Sequence, residues 1–292
     1  MTFVSDSLDT LPQMPSWVTS ARAETLEDVA FLSGAALSHL HLVLQQEDVP
    51  QTLLRERLAL RAAEASVAHT GRSERASDLR DAVGFLLPGD SPGPAGEVYL
   101  VWRRAIGRTI SVKALHRVLT NFDAAQLAEW LDVGRGGAVT RATLVASSVH
   151  QDRPRDVVTS LVLAEACLAQ TLGWTYLVPL LTLGLKRSDL RKTCEDLQFA
   201  SHRAIAKAAT EATREAAVLA RRAAGLKSVV PKLRAKGAEQ AVDLFLSQDS
   251  VAPSALTSLR SDRAARRFCD RLVELGVVRE LTGRDTFRLY GL

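Results

Sequence analysis

From residue 157 to residue 185 the chain runs for 29 residues with a single charge, Glu165. A stretch this long and this apolar either crosses a bilayer or lies at the centre of a packed core. Gln170, Gly173, Trp174, Tyr176 and Pro179 break it near its middle, whereas the aromatic residues of a span belong at its two ends. The pattern therefore predicts two buried helices joined at Gly173 and Trp174, forming the centre of a large helical core. A lone carboxyl in such surroundings must be paired, hydrogen-bonded or protonated. A buried arginine is the expected partner of Glu165, and a ligand-sensing or catalytic carboxylate is the sharper alternative.

Helical periodicity dominates the rest of the chain before residue 225. Leu26, Val29, Ala30, Leu37, Leu40 and Leu44 recur at spacings of three and four, behind Glu24, Glu27 and Asp28. Acids in that position suit a helix N-terminus. Leu53, Leu54, Leu58, Ala62 and Ala65 form a second stripe that ends before Gly71. More helices are expected over residues 75–87, 95–106, 112–120, 124–131 and 138–150, with sharp breaks at 88–94 and 134–137. The glycine run Gly134, Gly136, Gly137 lacks the lysine and spacing of a phosphate-binding loop and reads as a turn. A basic helix is expected from Ser188 to Gly225. The resulting organisation is a loose lead-in over 1–20, an all-α domain over 21–225, a basic connector over 226–237 and a small closing domain over 238–292.

Composition agrees with packed helices: 47% of residues are hydrophobic and only 5% aromatic. Cys167, Cys194 and Cys269 are far apart and follow no metal spacing, so each is expected to be a buried packing residue in a reducing cytoplasm. His39 and His41 point to different sides of a helix. His69, His116, His150 and His202 stand alone, with surface or capping roles expected. No zinc, di-iron or nucleophilic pattern occurs, so no catalytic residue, cofactor or metal is expected. The net charge of +4 hides an asymmetry. Residues 1–185 hold 16 Lys and Arg against 20 Asp and Glu, and residues 186–292 hold 21 against 13. A basic half is suited to a polyanion.

The closing segment points to a partner. Residues 238–246 suit one helix, Pro253 suits the first turn of a second, and Ser261 is a good N-cap for a third. In that third helix Ala265, Phe268, Cys269, Leu272 and Leu275 fall on one side and Arg263, Arg266, Arg267, Asp270, Arg271 and Glu274 on the other. Gly276 then stops it. Val277, Val278 and Leu281, a turn at Gly283, Arg284 and Asp285, and alternation from Thr286 to Tyr290 read as a hairpin with Phe287 and Leu289 inward and Arg288 outward. This order is that of a winged helix-turn-helix. A helix fits the major groove, and arginine matches guanine bidentately, so Arg263, Arg266 and Arg267 are expected at base edges. Arg260, Arg284 and Arg288 are expected on phosphates or in the minor groove. Residues 251–292 hold eight arginines but also five acids, and the same module docks proteins elsewhere.

The chain resembles an uncharacterised alpha-proteobacterial family classed as a domain of unknown function. The resemblance is carried by residues 28–37, 57–63, 88–96, Leu172-Gly173-Trp174 and, most specifically, 279–292. That last segment also looks like the winged helix attached to some Fic-related proteins, although the Fic catalytic histidine and phosphate loop are absent. The resemblance implies an architecture and a bacterial cytoplasmic setting and carries no activity. The expectation for function is a non-enzymatic protein binding double-stranded DNA, in transcriptional regulation or replicon maintenance. Its helical domain would serve homodimer formation or effector sensing, with no membrane association. The alternative is an adaptor whose winged helix docks a protein.

Overall fold

The computed structural model describes residues 11–87 and 89–292, so the first ten residues of the expected lead-in lie outside the described residues. The chain is mainly helical, as expected. Its helices are α1 (Ser16–Ser20), α2 (Leu26–Leu44), α3 (Gln51–His69), α4 (Ala76–Gly84), α5 (Gly93–Ile106), α6 (Val112–His116), α7 (Ala124–Leu131), α8 (Ala138–Asp152), α9 (Val157–Thr171), α10 (Leu180–Gly184), α11 (Cys194–Val229), α12 (Ala238–Ser247) and α13 (Asp262–Glu274). Two short strands follow, β1 (Arg279–Glu280) and β2 (Tyr290–Gly291).

Local chemistry starts these helices where they start. At α2 the Thr25 hydroxyl accepts from the Asp28 N–H while the Asp28 carboxylate accepts from the Thr25 N–H, both at 3.1 Å. This reciprocal cap satisfies two otherwise orphaned donors. Asp156 caps α9 by accepting from Thr159 N at 3.0 Å. Residues 159–169 of α9 are all buried, and among the described residues no helix is long and apolar enough to cross a membrane.

The spine of the body is α11, 36 residues long and about 54 Å from end to end. Its buried face is built mainly from alanine, including Ala200, Ala204, Ala208, Ala212 and Ala216. Small residues let α2 and α10 lie close along it, and α8 and α3 complete its cover. The approach is tightest at Gly184 of α10, where a Cβ would stand 2.2 Å from the Ala204 carbonyl oxygen. A second layer joins α8 to α9 and α3 to α5. There Trp102 is fully buried, with its indole N–H donating to Ser66 Oγ at 2.9 Å.

Several boundaries differ from expectation for physical reasons. The 29-residue apolar run does hold two helices joined through Gly173, which has φ +68°, but the second is a single turn and more. The helix α11 does not stop at Gly225. Open space surrounds that glycine, and burial of Leu226 and Val229 carries the helix onward. The helix expected over 112–120 ends at His116, whose ring nitrogen Nδ1 lies 2.8 Å from the Phe122 carbonyl oxygen.

The closing segment also departs from its expected form. Between α12 and α13 the chain makes only a short 3-10 turn, Pro253–Ala255, rather than a second α-helix. Val251, two residues earlier, is held extended by an antiparallel bridge to Tyr290, with hydrogen bonds of 2.8 and 2.9 Å. Too few residues then remain before the buried Leu256 and Leu259 for a full helix. Ser261 does cap α13, accepting from Ala264 N at 3.3 Å, and Gly276 after it takes φ +71°. In the hairpin Arg279 pairs with Gly291 and Glu280 with Tyr290. Leu289 is buried, but Phe287 sits at φ +55°, which breaks the alternation and leaves its side chain 71% exposed.

Two glycines test this packing in opposite directions. Gly184→Ala should destabilise the protein by about 1–3 kcal/mol, because the backbone of α11 must give way. Gly34→Ala, mid-helix in α2 with nothing within 4 Å of its Cβ, should stabilise by about 0.5–1 kcal/mol. Midpoints of urea unfolding check both.

Candidate nucleic-acid interface

Burial of Ala265, Phe268, Cys269 and Leu272 fixes the rotation of α13 about its axis. That rotation turns Arg263, Arg266 and Arg267 to solvent, and Arg260 is exposed in the turn before the helix. Among the described residues none of these four guanidinium groups has a hydrogen-bond or ion-pair partner. Further along α13, Arg271 is paired with Glu274 at 3.0 Å. The structure thus brings four of the six expected arginines together as unpartnered cations at the start of one helix.

The connector lies beside them. Lys232, Arg234 and Lys236 are exposed, and Lys236 and Arg260 line the same groove. Gly237, at φ +88°, makes this possible: a Cβ there would stand 2.3 Å from the Ser258 carbonyl oxygen, and Ser258 Oγ donates to the Gly237 carbonyl at 3.0 Å. Positive charge also gathers where α11 passes β1. Burial, then the neighbouring Arg279 and Arg57, hold the Arg222 guanidinium below its usual value.

The remaining two arginines are placed differently. The hairpin tip leans on α4, where Arg284 forms an ion pair with Asp81. Phe287 meets Phe85 edge-on with ring centroids 5.7 Å apart. Arg288 donates from Nε to the Arg284 carbonyl at 2.8 Å, and hydrogen bonding to Tyr290 raises its pKa further. The tip itself is folded by Glu280, whose carboxylate accepts from the N–H groups of Thr282 at 2.7 Å and Gly283 at 2.9 Å.

A buried polar cluster seats this whole segment. Asp249, 1% exposed, accepts from Arg57 Nε and, at 2.5 Å, from Arg80 Nε. Arg57 also donates to the main-chain oxygen of Leu292 at 3.2 Å and reaches Glu215 of α11 at 3.4 Å. The partners of Asp249 are 192 and 169 residues away in sequence, and no local spacing marks them.

The expectations for the helical body are corrected at three points. Glu165 is fully buried but has no arginine partner among the described residues. Its Oε1 accepts from the Thr182 N–H at 2.7 Å and hydroxyl at 3.0 Å, and its Oε2 has no hydrogen bond. The first turn of α10 supplies the donors that an arginine was expected to supply. Cys167 and Cys269 are buried, whereas Cys194 is exposed at the first position of α11. His69 and His202 are buried rather than superficial, and Nδ1 of His202 lies 2.7 Å from Ser33 Oγ. No group of three or more metal-ligating side chains occurs among the described residues.

Burial, opposed by the Thr182 hydrogen bonds, pushes the Glu165 carboxyl up to about 8 from an ordinary 4.5. Between those values the folded chain keeps a proton that the unfolded chain releases, so stability falls as pH rises from about 4.5 to about 8 and then levels. Glu165→Gln should remove that slope. The variant should gain on the order of a few kcal/mol over wild type between the two ends of the window, as read by urea unfolding across pH.

No curated protein matches the chain. Residues 2–292 match the family described as Protein of unknown function (DUF1403), a match that covers the body and the arginine-bearing segment together. The chain belongs to that family.

Proposed function

We propose that residues 238–292 form a winged helix-turn-helix that binds double-stranded DNA, with α13 as the recognition helix. In this reading the chain serves transcriptional regulation or replicon maintenance in the cytoplasm. The observation that carries it is the set of four exposed, unpartnered arginines at the start of α13. A solvated helix surface normally pairs its arginines with acids three or four residues away, as Arg271 does with Glu274. Leaving four unpaired in one patch keeps them available for an external anion. Arginine at the N-terminal end of a groove-bound helix reaches guanine edges. Lys232, Arg234 and Lys236 extend the patch and suit the phosphate backbone. The bridge from Val251 to Tyr290 supports the module, because it ties β2 to the stretch between α12 and α13. A docked tip limits Arg284 to a supporting part, since its charge is already met by Asp81.

Binding of the intact protein to short duplex DNA tests this. Affinity should fall with salt by about 0.9 log units per phosphate contact per log unit of salt. Arg266→Ala with Arg267→Ala should weaken binding at least tenfold with thermal unfolding unchanged, since two base or phosphate contacts of roughly 1–3 kcal/mol each are lost. Arg284→Ala should leave affinity within about twofold. Failure to shift any duplex at low salt, with a salt-tolerant protein partner recovered through the same arginines, would establish the adaptor reading instead.

A further inference from the structure

Between α8, α9, α10 and the first turns of α11 lies a cavity of about 620 Å³. The space opens to solvent past Thr193, Cys194 and Glu195, so it is a deep cleft rather than a closed void. Its volume lies within the range that holds a small organic ligand. Its apolar wall is aliphatic, built from Leu144, Leu161, Leu181, Leu185 and Leu197, with His150, Gln151 and Gln198 among the polar lining residues and no Phe, Tyr or Trp.

Hydroxyl groups line the same space. Ser201 is 1% exposed, and its hydroxyl has no hydrogen-bond partner among the described residues. Facing the cavity, that hydroxyl is free to donate to or accept from whatever occupies it. Ser147 opens onto the cavity too, and its hydroxyl is likewise without a partner among the described residues. Ser160 and Thr143 donate to the carbonyls of Ala146 and Val139, at 2.9 and 2.8 Å, and so retain only acceptor capacity. The charges at the rim do not favour an anion. Lys192 is held by Asp189 at 2.7 Å, whereas Glu195 is exposed and has no partner among the described residues.

We propose that this cavity binds an uncharged aliphatic amphiphile: a medium-length carbon chain bearing an amide, ester or hydroxyl group. The chain lies against the leucines, and the polar group meets Ser201 and Ser147. Aliphatic walls match a flexible chain rather than a flat ring. An ionised head would lose its hydration to neutral hydroxyls and meet the carboxylate of Glu195. The inference is independent of what the arginines of α13 bind, because it concerns the opposite end of α11.

Cys194 supplies a direct readout. It lines the cavity mouth and is exposed, while Cys167 and Cys269 are buried. The experiment uses the full chain with 1-decanol and decanoate as probes, at a pH where decanoate is ionised. Thermal unfolding and the rate of Cys194 alkylation by iodoacetamide are measured together. The alcohol should raise the unfolding temperature progressively with concentration and slow alkylation. It should bind at least about tenfold more tightly than decanoate. Leu144→Trp and, separately, Ser147→Phe, both at partly exposed wall positions, should abolish both effects while the ligand-free protein stays folded. Equal or tighter binding of decanoate overturns the proposal. So does an alcohol without effect on wild type, or a Leu144→Trp variant that still responds.

Discussion

Close approach of backbones along the alanine face of α11 is the constraint on which the rest of the body depends. A 36-residue helix is not held straight by propensity alone; its stability comes from neighbours on its apolar side. Here those neighbours sit within backbone contact, at Gly184 against Ala204 above all. Large side chains on this face would push α2 and α10 outward. The aliphatic bulk of the core is therefore carried by the surrounding helices, α3 and α9 in particular. The same arrangement explains Glu165. With α10 pressed onto α11, the unsatisfied N–H groups of its first turn face α9, and a carboxyl there answers them.

The segment from α12 onward is positioned by a different kind of contact. Burying Asp249 is costly, and two arginines are needed to offset the loss of hydration. Such a cluster fixes position more than it adds stability, because it tolerates only one geometry. Its effect is to choose which surface of the segment looks outward. The hairpin tip is taken up by α4, and the start of α13 is left free. That the arginines at the start of α13 carry no ion pair, while Arg284 meets Asp81, is a consequence of that seating and not of α13 alone.

Local patterns carried the helices well. Spacing placed α2, α3, α7 and α13 closely, and the side-chain cap at Ser261 marked the start of α13. Four of the arginines singled out from the sequence share one exposed surface, because the amphipathic stripe of α13 already determined its rotation. What local pattern missed depends on distant chain. The bridge from Val251 to Tyr290 reduced the second helix to a turn. The partners of Glu165 were the main-chain N–H and the hydroxyl of Thr182, 17 residues away, which no local spacing announces. Cys194, expected buried, lies between Lys192-Thr193 and Glu195-Asp196, and its thiol sits at the first turn of a helix, on the solvent side. Phe287 was assigned inward by alternation, and one positive φ undid that.

Arg57 touches both ends of the segment between Asp249 and Leu292, the first through a carboxylate and the second through a main-chain oxygen. One side chain on α3 thereby closes a loop of more than forty residues. A covalent cross-link over that span would remove about 4 kcal/mol of chain entropy from the unfolded state. A guanidinium clasp does the same geometric task with reversible bonds, and it needs no oxidant, which matters for a chain whose three cysteines are all free. Its bonds can break and re-form without thiol chemistry, so the seat of the segment does not depend on the redox state around the chain.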